Sequence, residues 1–409
     1  MPPRKKLRSA PPVIGVDHIG ALPDCILQHV LSFLPVQAAV RTCVLARRWN
    51  DLWRSTTGLR IVNLHDENFG EIRRLRRFVD HLLILRERTD LDTVEIKFGH
   101  CPEDDVAYVH LWIRFAVMCK VRVLTLRVSH PPYLWLRNRP FVSRHLTTLD
   151  LYGLALGEDT LDFASCPALE NLKMGSCEIY AARISSPSVK HLSITDYCRS
   201  DSLDCRFRVS SPGLVSLKLV HFLYRTPFLE NMDLLESACA HISKYCKDVC
   251  WGGYDSSVLC GANNVACVNC AAEIDGTSDC VLLGGMSSTR HLDLRSDSRT
   301  LFFTRDLKHC PVFRKLKTLL LNEYWCEAPD FGPLACILKK SPVLEKLTLQ
   351  LFSEGPNHQV EMKGCYSSTE RPSAISEHLN IVEIKCNAVN EKIVKVMKFM
   401  AAFNIRFTF

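Results

Sequence analysis

Apolar residues recur along this chain with two different periods. Between Leu22 and Trp53 the spacing is helical. Pro23 and Asp24 suit a first helical turn. Ile26, Leu27, Val30, Leu31 and Leu34 then fall on one helical face, and Pro35 breaks the helix. Ala39, Val40, Cys43 and Val44 predict a second helix; Trp49, Leu52 and Trp53 predict a third. Three short helices in under 40 residues give little protein to cover so wide a stripe. A core below roughly 40 residues usually needs a metal, disulfides or a partner. The pattern therefore predicts an interaction module, its face completed by another protein or by packing on the rest of the chain.

Beyond residue 60 the period changes. "FVDHLLILRER" (Phe78–Arg88) predicts an amphipathic helix and "DTVEIKF" (Asp92–Phe98) a strand, in a mixed region ending near residue 120. A pattern of L-x-x-L-x-L type then recurs as "VRVLTL", "LTTLDL", "LENLKM", "VKHLSI" and "LVSLKL", and again as "TRHLDL", "LKTLLL" and "LEKLTL". Its fourth positions are residues 124, 149, 172, 192, 217, 292, 319 and 347, in steps of 25, 23, 20, 25, 75, 27 and 28. A period of roughly 20 to 29 residues with this pattern predicts leucine-rich repeats. Apolar residues two apart point to the same side of a strand. Each unit hides that side only by stacking on its neighbours, which builds a curved solenoid.

The step of 75 is three times 25, so two degenerate units are expected there. "LESACAHI" (235–242) and "VACVNC" (265–270) are the candidates, in what would be the least ordered part of the stack. Alternate strand positions would face solvent on the concave side. Thr125, Asp150, Lys173, Ser193, Lys218 and Asp293 are the candidate target contacts on that face. After the last repeat, "SEHLNIVEIKCNAVNEKIVKVMKFMAAF" reads as strand, helix, strand. Val389, Ile393, Val396, Met397 and Met400 would be the helix's buried stripe, with Ile405, Phe407 and Phe409 on one face of the final strand.

Composition narrows the function classes. A chain of 409 residues, 47% hydrophobic and 23% charged, suits a folded soluble protein of two or three domains. No run of 18 apolar residues predicts a membrane-spanning helix. The start, "MPPRKKLRSAPP", lacks the apolar core of a secretory signal. Of the net +7, a surplus of six falls in the first 60 residues, where nine Lys/Arg face three Asp. The rest lacks the clustered positive charge of a nucleic-acid surface. Arg4, Lys5, Lys6 and Arg8 read as a solvated tail or as a nuclear localisation signal, so the expected location is nucleus and/or cytoplasm.

Twenty cysteines in a chain of this kind read mainly as small buried hydrophobes in a reducing compartment. Cys246, Cys250, Cys267 and Cys270 approximate a four-cysteine zinc site, a weak alternative to buried free thiols. No GxGxxG, P-loop, HExxH or GxSxG motif occurs. Neither a catalytic residue nor a cofactor is expected.

The segments "LPDCIL", "VLSFLP" and "AVRTCVLARRWNDLW" together resemble an F-box in its plant form, over about residues 17–57. Ala46 departs from the serine often found there. With the repeats and the C-terminal segment, the whole chain resembles plant F-box/LRR proteins that end in an FBD region, although it stops early for that motif, at "NIRFTF". The fold implied is an α+β (α/β) solenoid: a three-helix F-box, a leucine-rich-repeat stack and a strand–helix–strand cap. Its divisions are a disordered basic tail (1–16), the F-box (17–57), a linker with first degenerate repeats (58–120), repeats (121–352, with 228–288 degenerate and Cys-rich) and the FBD-like region (370–409).

The resemblance implies docking on the Skp-type adaptor of a cullin–RING ubiquitin ligase, with an unknown protein substrate and neither nucleic acid nor membrane as partner. Leu22, Pro23, Ile26, Leu27, Leu31 and Pro35 would lie at or near the adaptor, while Val44 and Trp49 would serve either that contact or the module's own core. A non-degradative scaffold and a small-ligand receptor stay open beside the substrate-recognition reading.

Overall fold

The computed structural model describes residues 19–63, 69–101, 105–131, 133–136, 141–157, 160–196, 198–200, 207–223, 226–243, 280–297, 306–307, 309–326, 331–351, 360–366, 376–403 and 405–408. The N-terminal module holds α1 (Asp24–Ser32) and α2 (Val36–Arg41), each entered through a proline. The expected third helix is instead two short 3-10 turns, Arg47–Asn50 and Leu52–Ser55, following another at Thr42–Val44. Trp49, Leu52 and Trp53 are buried there as their spacing required.

A sheet of fourteen strands carries the rest. Its strands are β1 (Gly58–Asn63), β2 (Thr93–Phe98), β3 (Val123–Val128), β4 (Thr148–Tyr152), β5 (Asn171–Gly175), β6 (His191–Thr195) and β7 (Ser216–Val220). They continue with β8 (Ser237–Ile242), β9 (His291–Ser296), β10 (Thr318–Asn322), β11 (Lys346–Leu351), β12 (Val360–Tyr366), β13 (Ile381–Cys386) and β14 (Ile405–Thr408). The first eleven lie side by side in chain order and parallel; β13 extends them in parallel.

Two apolar columns run through this array in strict register. One passes Leu59, Val94, Leu124, Leu149, Leu172 and Leu192, then Leu217, Ala238, Leu292, Leu319, Leu347 and Val382. The second runs two residues further along each strand, from Ile61 and Ile96 to Leu349 and Ile384. All these residues are buried, because period-2 alternation puts both columns on the side that the connections cover.

Spacing decides what those connections are. Between Leu124 and Leu217 the rungs are 20 to 25 residues apart. That leaves room for short strands, such as Leu134–Leu136, Leu154–Leu156 and Arg208–Ser210, which form two small parallel sheets. Steps of 28 to 35 residues accommodate helices: α3 (Phe69–Leu85), α4 (Val106–Met118) and α5 (Gly332–Lys339); α6 (Glu391–Ala401) follows β13, beyond the last parallel rung.

Four expectations need correction. Residues 58–120, expected as linker and first degenerate repeats, hold repeats in place of a linker: β1 and β2 are full rungs in register with β3. The long step holds one rung rather than two, since β8 pairs directly with β9 over six residues; "LESACAHI" supplies it, and "VACVNC" lies outside the described residues. The C-terminal unit contains an unforeseen strand. β12 lies antiparallel between β13 and β14, so β13, α6 and β14 form a split β–α–β unit. Val389 is 44% exposed because it precedes the Asn390 cap, whose side chain accepts from the Ile393 amide at 3.0 Å; Ile393, Val396 and Met400 are buried.

The N-terminal module is fastened to the free edge of this sheet. Pro35 forms a parallel bridge to Arg60 of β1. The Arg60 guanidinium donates to the Phe33 carbonyl and, at 2.5 Å, to Glu95 of β2. Glu95 also receives Lys97. Burial works to raise the Glu95 pKa, but the hydrogen bonds from Lys97 and Arg60 outweigh it and hold the carboxyl below its ordinary value. Arg86, just past α3, is buried and donates to Thr56 Oγ1 at 2.9 Å. Its Nε and Nη2 have no partner among the described residues. Desolvation lowers its pKa to about 10.

Gly58 marks the closest approach of module and sheet: a Cβ there would sit 2.7 Å from Ser32 Cβ and 2.8 Å from the Ser32 carbonyl. Gly58→Ala is therefore expected to destabilise the fold by about 1–3 kcal/mol, the usual cost of overfilling a packed site. Chemical denaturation of the two proteins side by side measures it; an unchanged midpoint would mean that the junction yields freely.

Candidate functional site

Two surfaces compete for the role of functional site: the outer side of the N-terminal module and the solvent-facing side of the sheet. On α1 the wide apolar stripe is split lengthwise. Leu27 and Leu31, four residues apart, are 1% and 2% exposed and join one core cluster with Val36, Ala39, Trp49, Leu59 and Leu82. Ile26 and Val30, one position behind each, are 45% and 48% exposed. Ile19, Leu22, Ile26, Val30 and Phe33 follow one another at helical spacings of three and four and all stay exposed, as do Val44 and Leu45 after α2.

The turn before α1 is held by a single guanidinium. Arg48 donates from Nε to Asp24 at 2.7 Å, from Nη1 to the Gly20 carbonyl at 2.5 Å and from Nη2 to the Leu22 carbonyl at 2.6 Å. Its planar fork suits three acceptors on one short loop. Leu22 and Pro23 are thereby presented on a fixed turn rather than on a loose end.

Of the eight candidate adaptor contacts, Leu22, Pro23, Ile26, Pro35 and Val44 are exposed. Leu27, Leu31 and Trp49 are buried in the chain's own core and have no face left to offer a partner. The reading that the stripe packs on the rest of the chain therefore holds for one half of it. The inner half of the stripe packs on this chain, and the outer half is uncovered. Ile19, Phe33 and Leu45 join the exposed set without having been singled out, although the spacing of three and four was readable for the first two.

On the sheet, the six candidate contacts lie on one line. Thr125, Asp150, Lys173, Ser193 and Lys218 are successive register partners, and Asp293 follows one rung beyond Cys239. Arg60 and Glu95 extend the line at one end; Leu320, Thr348 and Glu383 extend it at the other. Asp150 takes Arg127 at 2.7 Å, and that guanidinium lies 5.6 Å from the Tyr152 ring. Asp293 binds Arg295 through both oxygens at 2.9 Å. Glu383 takes Lys346 at 2.9 Å.

Six thiols among the described residues are held in the protonated form. Burial pushes the Cys101, Cys310 and Cys326 thiols up to about 12 and Cys239 to about 11, and it raises Cys198 and Cys280 as well. Protonated thiols of this kind are poor nucleophiles. The candidate zinc ligands Cys246, Cys250, Cys267 and Cys270 lie outside the described residues. Among the described residues no helix is long and apolar enough to cross a membrane.

The family model described as F-box domain matches residues 19–59, the segment that carries the uncovered stripe and its fastening to β1. The chain is 29% identical over 411 residues to the rice (Oryza sativa subsp. japonica) protein named MEIOTIC F-BOX protein MOF, covering 90% of this chain and 80% of that one. It is 27% identical over 407 residues to an F-box/FBD/LRR-repeat protein of Arabidopsis thaliana, covering 90% and 83%. An FBD-associated F-box protein of Arabidopsis thaliana is 30% identical over 235 residues, covering 54% and 55%.

Residues 19–59 thus match an F-box domain, and over most of its length the chain is similar to plant F-box and F-box/FBD/LRR-repeat proteins. Within its F-box the two stripes of α1 predict opposite phenotypes. Leu31→Ala is expected to cost about 2–5 kcal/mol of stability as a core truncation. Ile26→Ala and Val30→Ala are expected to stay within about 0.5 kcal/mol, as exposed changes do. Thermal and chemical unfolding of the three variants checks the division.

Proposed function

We propose that this chain is a non-catalytic substrate-recognition subunit of an SCF-type ubiquitin ligase. Its F-box docks on a Skp-type adaptor, and through it on a cullin–RING ligase, by the exposed stripe Leu22, Ile26 and Val30 with Pro23, Pro35 and Val44 around it. The sheet belongs to a leucine-rich-repeat solenoid whose polar face, along Thr125, Asp150, Lys173, Ser193, Lys218 and Asp293, holds a protein target. Transfer is accelerated by proximity: a tethered target meets the charged conjugating enzyme at high effective concentration, with neither acid nor base from this chain. The work is done in the nucleus and/or cytoplasm.

The observation that carries this reading is the split of the α1 stripe. A helix already anchored by Leu27 and Leu31 has no internal use for a second row of apolar side chains. Uncovered apolar surface of this kind on a soluble chain marks a contact with another protein. The raised thiol pKa values support the non-catalytic assignment.

Capture of a purified Skp-type adaptor by the full chain tests it. Ile26→Asp with Val30→Asp is expected to abolish capture while leaving the unfolding midpoint unchanged. Undiminished capture by this variant would sink the docking face proposed here.

A further inference from the structure

The polar face of the sheet is unevenly neutralised. Its carboxylates at Glu95, Asp150, Asp293 and Glu383 are each held by a cation of the same or the adjoining strand. Lys173 and Lys218 have no such partner among the described residues. Both are exposed. They stand in the central column of the sheet, two strands apart, with Ser193 between them. The nearest in-register carboxylate to Lys173 is Asp150, and Arg127 already occupies it.

From this pattern we infer that the target segment is acidic: an extended peptide whose carboxylates seat on Lys173 and Lys218. The inference rests on the reading of this face as the target surface. Neighbouring strands are about 4.8 Å apart, so the two lysines stand about 10 Å apart at their backbones. Carboxylates two residues apart on one side of an extended peptide are about 7 Å apart. The flexible four-carbon stems of lysine close the difference, and three donors on each ammonium accept a range of approach directions. Ser193, on the strand between, adds a hydroxyl that serves either the carboxylates or the peptide backbone, whereas Thr195 on the same strand already donates to Asp196 at 3.0 Å. Because the carboxylates at both ends of the line are already paired, the field in the middle is positive over a short span only. That favours a compact acidic run over a long polyanion, and it sets register along the sheet as well as affinity.

The test uses the full chain and a fluorescein-labelled peptide of about ten residues alternating glutamate and glycine, with a glutamine-for-glutamate peptide as control. Fluorescence anisotropy at physiological ionic strength is read for the wild type, for K173E/K218E and for the charge-matched K315E/K339E, which alters exposed lysines outside the column. K173E/K218E is expected to weaken binding of the acidic peptide by at least about tenfold, and K315E/K339E by less than about twofold. Equal loss in both double variants, or none in K173E/K218E, overturns the proposal.

A second measurement separates this failure from failure of the underlying reading. Proteins labelled by proximity under proteasome block are compared for the wild type, K173E/K218E and Ser193→Trp, which fills the space between the two lysines. Loss of the same labelled set in both variants supports an acidic target on this face. Loss in Ser193→Trp alone keeps the face and discards the acidic target. Retention in both discards the face, and the acidic target with it. Adaptor capture, unchanged in every variant, verifies that the chain is folded.

Discussion

Everything in this molecule follows from keeping two columns of aliphatic side chains in register across the long sheet. Each rung contributes two apolar residues flanking a third, polar in every rung but those of Cys239 and Leu320, and the period of two sends the apolar pair to one side. A slip of one residue in any rung would turn that pair out to water and bury the residue between them. Register is thus enforced by the hydrophobic effect rung by rung, and the line of polar residues on the other side is a by-product of the same constraint. That is why Thr125, Asp150, Lys173, Ser193 and Lys218, scattered over more than 90 residues of sequence, form a straight row.

The same enforcement makes the ends of the stack a problem, because a strand with a bare edge invites pairing with another chain. At the start of the sheet the F-box supplies the cover. Pro35 bridges to β1, Arg60 ties Phe33 to Glu95, and the inner leucines of α1 enter the core shared with α3. The N-terminal module is therefore the cap of the sheet. Its inner surface packs on the core and its outer surface is left uncovered, so a helix that is apolar over a broad arc serves the fold with one half of that arc.

Much of this was legible in the sequence, and the residues that were misread show why. The eight marked leucines are all buried rung residues because a pattern of fixed spacing reports a fixed geometry. The first two rungs, read only as degenerate repeats with a strand at Asp92–Phe98, escaped the marked period because α3 and α4 lengthen the steps to Val94 and Leu124 beyond it. The long step after Leu217 was overcounted because a multiple of the period looks the same whether it holds rungs or a detour; only the direct pairing of Ala238 with Leu292 separates them. In the F-box, helical periodicity put Ile26 and Leu27 on one face, as they are, but it carries no information on which half of a wide face has a neighbour. β12 was missed because the alternation of Val360, Glu361, Met362 and Lys363 is short, stops at Gly364 and carries none of the leucine spacing that marks the other rungs.

One consequence of the fastening at Pro35, Gly58 and Arg60 concerns distance. Since α1 is clamped to the first strand, the molecule behaves as a strut rather than a leash. Each strand adds about 4.8 Å, so cargo seated near Ser193, five strands from β1, would ride about 24 Å along the sheet from the clamp, and a shift of one strand would move it by a single such increment. On the function proposed above, such a stack would work as a caliper: the seat chosen along it would set how far a lysine of the cargo stands from whatever holds the other end.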